Sequence, residues 1–550
     1  MNGREREYEY KREYEAAAQS AGASSAADGA DGASWDTANS AVPSNVTIIT
    51  GIGQLVTNCV EPLNADAPMT SVGQLGMIEQ AAVVVRGEII EWVGCERDLP
   101  TEYRCLCRHR AVTQFGNEAR EQTEAVEVNT INEANRQAET IDEATNEATA
   151  EPHHIDLAGR ALLPGFVDSH SHLVFGGDRG DEFEARMGGQ QYDGGGILRT
   201  VRATRAASED MLTDRALALL REARAQGTTT MEIKSGYGLD VPNEAKLLRV
   251  AARFTPETTF LGGHAVPEEY RPAQGGDDAR SGSSAPHFGD RDDYVRLVCG
   301  PMLDAVVREG NARWSDVFCE PHSPYAFDGD ETRMMLTAAK QRGLGIRVHG
   351  AQLGPGPGAR IACELGAASV DHCTFLTDDD LDALAATWLG KQRGAWAEVP
   401  AETSSAASSK MQPAASALER QYGTVATYLP AVEFSTKQPY PDMRRAIAAG
   451  VPIAIASDCN PGTCFSDSMP FAIAIAVREM GLTIAQAVWA ATAGGALALR
   501  RRDIGVIRTG AKAGFALVDA PSYAHIAYRP GVPITHALDL GGHDRPPHRG

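Results

Sequence analysis

Two histidines one residue apart, His170 and His172, end the run LPGFVDSH and open the segment HLVFGGDR. In an extended chain they project to one side, so they need a shared partner. Two further groups match them in chemistry: His349 at the end of GIRVHG and Asp458 at the end of PIAIASD. Together His170, His172, His349 and Asp458 offer three neutral nitrogens and one carboxylate oxygen. Such a set with an open position suits a catalytic divalent or trivalent metal, zinc or iron. Each histidine taken alone reads more simply as a hydrogen-bonded core residue. The HSH pair with two more groups at matching positions reverses that preference.

A metal in such a set brings water ionisation toward neutral pH and so makes hydrolysis available. Hydrolysis further requires a proton acceptor and a donor for the developing oxyanion. Asp458 serves the first need, and His372 serves the second by polarising a carbonyl or passing a proton on. The competing reading of His372 is a structural histidine paired with Asp371. Arg179 sits in the Gly-Gly turn FGGDR, where backbone approaches a ligand closely. It is either a surface arginine of that loop or a bidentate fork for a carboxylate.

The elements that must position these groups alternate in type. Strand candidates are 163–170, 229–235, 259–264, 315–320, 345–350, 369–374, 424–431 and 452–458, with amphipathic segments such as 211–227 and 294–310 between them. Eight strands with helical crossovers predict a (β/α)8 barrel, the doubly wound sheet being the nearest competitor. Ionisable groups cluster at the strands' carboxyl ends: His170 and His172, Glu232 and Tyr237, His264, Glu320, His349, His372 and Asp458. In a barrel those ends form one face, where active sites are built.

Outside the barrel, residues 1–45 read as a disordered leader rich in Ala, Ser, Gly and acids. Residues 46–94 and 505–523 show β character, so both ends are expected to share one small sheet domain. Residues 111–151 carry ten acidic and two basic side chains and read as an insertion, as do the polar tracts 275–293 and 401–416. The expected division is therefore 46–162 and 501–550 for the sheet domain and 163–500 for the barrel.

A formal net charge of −22 argues against nucleic acid or an anionic membrane surface as partner. No apolar stretch is long enough for a bilayer, and the first residues have no apolar signal core. Ten scattered cysteines fit reduced thiols in a cytoplasm, and Cys105-Leu-Cys-Arg-His109 has no second ligand pair at zinc-finger spacing.

The motifs HSHLVFGGDR, EIKSGYGLD, FLGGHAVP, DVFCE, VHGAQL, SVDHC and IASDCNPGT occur in this order. In them the chain resembles the imidazolonepropionase family of the amidohydrolase superfamily, over roughly residues 46–540. HxH alone is common to the superfamily; Tyr237 in KSGYGLD and the run Asp458 to Thr463 are far more specific. The resemblance implies a barrel with a composite β-sandwich, and one zinc or ferric ion per subunit on His170, His172, His349 and Asp458. It implies substrate contacts at Arg179, Tyr237, His264, Gln352 and Thr463, and product contacts at Tyr237, Asn460 and Gly462. Arg179 would then receive a propionate carboxylate, and the reaction would open 4-imidazolone-5-propanoate to N-formimidoyl-L-glutamate in histidine degradation. Asp458, with His372 or His264, would be catalytic, in a cytoplasmic homodimer. Two departures are Gln352, where some members carry Glu, and Gly514, where the superfamily usually shows Asp.

Three rivals are weaker. A ring deaminase needs a titrating acid near the His349 ligand, and Gln352 cannot titrate. A two-metal hydrolase needs a bridging lysine at the fourth strand, which ends instead in Cys319-Glu320-Pro321. A non-catalytic binding barrel would be favoured by a missing metal ligand, and none is missing.

Overall fold

The structure, a computed structural model, describes residues 45–65, 69–104, 153–189, 196–271, 289–389 and 422–540. The leader, the acidic tract, the 401–416 tract, Cys105 to His109 and most of 275–293 lie outside these residues.

The central element is a parallel sheet. Its order runs Ile453–Ile455, Val425–Tyr428, Ser369–His372, Val348–Gly350, Trp314–Cys319, Thr258–Gly263, Ile233–Lys234, with Gly345–Ile346 also pairing Trp314–Cys319. A separate parallel pair joins Phe166–Asp168 to Thr228–Met231. Ser171 forms a parallel bridge to Cys459, and the Asp458 amide donates to the His170 carbonyl at 2.9 Å. The Lys234 amide donates to the Ser171 carbonyl on the other side, also at 2.9 Å. These strands are buried on both faces, which is why they read as short apolar runs.

Helices follow the strands. Glu209–Arg224 starts at Ser208, whose side chain accepts the Met211 amide, and buries Leu212, Ala216, Leu219 and Ala223 along one stripe. The segment expected as one helix over 294–310 is broken in the middle. Arg291–Leu297 and Leu303–Glu309 flank a π turn, Val298–Met302, that contains Pro301. Proline has no amide hydrogen and clashes with the preceding turn, so the regular ladder yields there. Among the described residues no helix is long and apolar enough to cross a membrane.

The first and last described segments meet in a second, mixed sheet of seven strands. Val46–Val56, Met77–Arg86, Ile89–Cys95, His153–Asp156 and Ala161–Pro164 are joined by Phe515–Val518 and Thr535–Ala537. Its core holds Ile49, Val83, Val93, Leu162 and Phe515. Three expected strands change here. LPGFVDSH divides at Gly165: Ala161–Pro164 pairs with Phe515–Val518, and Phe166–Asp168 enters the parallel pair. A Cβ on Gly165 would run into the Thr229 side chain, so the chain can cross between sheets only where that atom is missing. The 424–431 strand ends at Tyr428, because Pro430 opens the helix Pro430–Thr436. Of 505–523 only Phe515–Val518 is strand.

Candidate active site

Strand alternation explains which side chains point inward. Asp168, His170 and His172 share one side, as do Glu232 and Lys234, Asp316 and Phe318, and Arg347 and His349. The interior so built is ionic. Lys234 Nζ lies 2.8 Å from Glu232 Oε1 and 2.9 Å from Asp316 Oδ2, and Arg347 Nη2 lies 3.2 Å from Asp371 Oδ2, all without solvent exposure. Buried charges persist when paired, as Lys234, Glu232, Asp316, Arg347 and Asp371 are here.

This ionic layer carries the metal-ligand candidates. His170 Nδ1 is 2.8 Å from Asp371 Oδ2, and His349 Nδ1 is 2.9 Å from Asp316 Oδ2. Asp371 takes a hydrogen bond from His170 Nδ1 and so leaves His170 Nε2 facing the site, while Asp316 stands beside His349 Nδ1 as an opposite charge. The three Nε2 edges converge. His349 Nε2 is 3.4 Å from His172 Nε2, and Asp458 Oδ1 is 3.3 Å from His172 Nε2 and 3.5 Å from His170 Nε2. His170, His172 and His349 bring ligand atoms within 4.8 Å of one another, all buried, while His170 Nε2 has no hydrogen-bond partner. An orphaned buried nitrogen among two more imidazoles and a carboxylate is a donor set that fits a cation.

Electrostatics agree with that geometry. Burial pushes Asp458 up, but hydrogen bonds and charge from His170 and His172 outweigh it and hold the carboxyl well below its usual range. Burial pulls His172 down to about 4 against the opposing pull of Asp458. Burial and Lys234 also pull His170 down, yet Asp371 and Asp458 outweigh them and leave it at about 9. A cation at this centre would displace the proton that His170 otherwise holds at neutral pH, because a ligating imidazole must be neutral.

The other predicted site residues surround this centre. His172, Arg179, Tyr237, His264, His349, Gln352, His372, Asp458, Asn460 and Thr463 line one cavity, which Phe318, Ser323 and Tyr325 complete. Gly462 lies just behind Arg179: a Cβ there would stand 2.7 Å from Cζ and closer still to Nη1. Arg179 is almost fully buried and gripped by Glu182, Nε to Oε2 at 2.7 Å and Nη2 to Oε1 at 2.5 Å. It is a fixed guanidinium, not a surface arginine.

His264 and His372 differ in commitment. His264 Nδ1 is 2.9 Å from the Gly236 carbonyl, which can only accept, so that nitrogen carries the proton. Burial holds this ring neutral, and its Nε2 is therefore an acceptor. Asp371 spends its carboxylate on His170 and Arg347, and His372 Nδ1 is buried without a hydrogen-bond partner. The structural pairing of His372 with Asp371 is not what the structure forms. His372 and Asp458 both sit at positive φ, 83° and 50°, conformations that side chains tolerate at a cost and that functional sites often hold.

Two residues serve the scaffold. Asn460 Oδ1 accepts the amides of Gly462 and Thr463 at 2.8 Å, and its Nδ2 donates to the Asp458 carbonyl at 2.7 Å and Thr463 Oγ1 at 2.8 Å. Thr463 Oγ1 in turn reaches Asp458 Oδ2 at 3.3 Å. Glu320 Oε2 accepts the Gln352 and Leu353 amides at 3.0 and 2.9 Å, anchoring the next loop. Sequence reasoning missed Asp316, Glu182 and Arg347, of which only Arg347 stands at the strand period from a site residue, two before His349, and it gave Asp371 the wrong imidazole as partner.

With the geometry in place, comparison with known proteins is informative. A model of the amidohydrolase family matches residues 161–536. Aspergillus niger ochratoxinase aligns with TM-score 0.53 at 16% identity, over 91% of this chain and 95% of its own, a likeness of fold. Imidazolonepropionase of Cutibacterium acnes is 45% identical over 495 residues, 90% of this chain and 96% of that protein. Imidazolonepropionase of Salinispora arenicola is 46% identical over 489 residues, covering 88% and 95%. The chain belongs to the amidohydrolase family and, within it, to the imidazolonepropionases.

Proposed function

We propose that this protein opens the ring of 4-imidazolone-5-propanoate by hydrolysis, giving N-formimidoyl-L-glutamate in histidine degradation. The observation that carries the reading is the convergence of three imidazole edges, two of them within 3.5 Å of Asp458, beside a buried, fixed guanidinium. His170, His172, His349 and Asp458 hold one zinc or ferric ion, which when bound supplies an ionisable water and a Lewis acid. Asp458 accepts the proton of the attacking water, and Thr463 holds the second oxygen of that carboxylate in place. His372 donates to the oxygen that gains charge, since its Nδ1 is uncommitted, while His264 accepts a ring N–H. Arg179 receives the propionate carboxylate at the cavity it lines, with Tyr237 and Gln352 flanking the ring. Asn460 and Gly462 shape the loop against which product rests.

Closure of the parallel strands into a (β/α)8 barrel belongs to the same proposal, supported by the bonds of 170–172 to both 234 and 458–459. So do a composite β-sandwich built on the mixed sheet, with the barrel beginning at 166 rather than the expected 163 and running to 500, and a cytoplasmic homodimer. Cys95, Cys299, Cys319, Cys363, Cys373, Cys459 and Cys464 are free thiols, as a reducing compartment maintains. The test is turnover. Purified protein, loaded with zinc or iron, should consume the imidazolone and release N-formimidoyl-L-glutamate by mass spectrometry. Metal-loaded protein that binds the compound without consuming it would favour a binding role.

A further inference from the structure

Breaking a ring C–N bond leaves a nitrogen that must gain a proton. Among the described residues Asp458 is the one carboxyl that lines the site cavity, and it is committed to the attacking water, which leaves the freed nitrogen to a second carboxyl. One stands directly behind its wall. Gln352 and Leu353 line the site cavity and also a second cavity of about 10 Å³, which Thr374, Glu433 and Gln438 complete. That volume is about the room one water requires.

Glu433 lies in Pro430–Thr436 and is 1% exposed. Its Oε1 accepts from Thr374 Oγ1 at 2.6 Å, whereas Oε2 is buried with no hydrogen-bond partner. An ionised oxygen left so would be costly. As O–H it becomes a donor, and Glu433 lines the small polar cavity shared with Gln352. Thr374 lies two residues beyond His372, so Glu433 also abuts the strand end that carries the oxyanion donor.

We infer that Glu433 is the proton-relay residue of this site, passing its proton through a water beside Gln352 to the nitrogen freed by ring opening. The inference rests on the hydrolase reading above. Attack places hydroxyl on the carbonyl carbon and the water's other proton on Asp458. The C–N electron pair goes to nitrogen, which takes the Glu433 proton. The proton on Asp458 then restores Glu433, and the new carboxylic acid ionises to solvent, so the protein ends unchanged.

Burial pushes Glu433 up to about 8, the Thr374 hydrogen bond opposes it, and the Asp458 charge adds to it. Burial holds nearby Cys373, Tyr428, Tyr440 and Cys464 above their ordinary values, and they stay neutral, so Asp458 is the charge Glu433 faces. The relay is therefore loaded at neutral pH and empties as pH rises through about 8.

The experiment compares kcat and KM from pH 6 to 10 for wild type, Glu433→Gln, Glu433→Asp and Thr374→Val on 4-imidazolone-5-propanoate. Wild-type kcat should fall above about pH 8. Glu433→Gln should lose about 100-fold in kcat, keep KM within about twofold, and lose the alkaline fall. Glu433→Asp should recover part of the rate with the fall restored. Thr374→Val removes the donor that favours the carboxylate, so the fall should move to higher pH, which keeps the test open if Glu433→Gln does not fold. An active wild type whose alkaline fall survives in Glu433→Gln, or stays fixed in Thr374→Val, overturns the relay alone. A wild type inactive on this substrate overturns the hydrolase reading and the relay with it.

Discussion

Asp371→Ala is the perturbation whose consequences the structure fixes most tightly. Asp371 pairs across the sheet with His349 and accepts from His170 Nδ1 at 2.8 Å and from Arg347 Nη2 at 3.2 Å, all three side chains being buried. Its loss frees the His170 ring to change tautomer or rotate, so Nε2 no longer faces the ion. Removing such an outer partner weakens metal binding by about 10–100-fold, which corresponds to about 1.4–2.7 kcal/mol. Arg347 also loses its carboxylate. Breaking a buried pair costs about 3–5 kcal/mol. Arg347 keeps the carbonyls of Ala498 at 3.0 Å and Ser169 at 2.7 Å, so the lower end of that range is expected. Competition with a chromophoric chelator reads the first effect and urea unfolding reads the second. Metal affinity within about twofold of wild type, in protein that has lost stability, would refute the claim that Asp371 orients His170.

Arg179→Ala should raise KM by about 10–100-fold, the worth of a charge-assisted bidentate contact, with kcat changed only a few-fold. Gly462→Ala should imitate it without altering charge, because the new methyl displaces the guanidinium that Glu182 pins; equal steady-state constants in wild type and Gly462→Ala would contradict that placement. Asp458→Ala should abolish turnover and loosen the ion together, read by single-turnover kinetics and metal content; retained turnover would remove Asp458 from both roles.

The strand ends were legible because a parallel strand writes a short apolar run that stops at an ionisable residue. His170, His172, His264, His349, His372 and Asp458 all reach one cavity or the centre at its base. Boundaries were less legible. Nothing in LPGFVDSH marks Gly165 as the crossing between sheets, since that role depends on Thr229, distant in sequence. Pro301 inside a long amphipathic stretch was a readable break that periodicity concealed. Asp316 escaped, and Asp371 was given the wrong imidazole, because an acid within an apolar strand carries no mark of its partner. Their partners, Lys234, Arg347 and two imidazoles, come from other strands. Asn460 and Gly462 were legible as a motif, but their service to Thr463 and Arg179 emerges only from folded geometry.

X-ray absorption at the metal edge, combined with metal counting on the reconstituted protein, tests the central claim most directly. One equivalent of zinc or iron should bind with three imidazoles and a carboxylate oxygen in its shell, and His349→Ala should remove one imidazole from that shell. Two equivalents per chain, a sulfur in the shell, or an unaltered shell in His349→Ala would contradict the account.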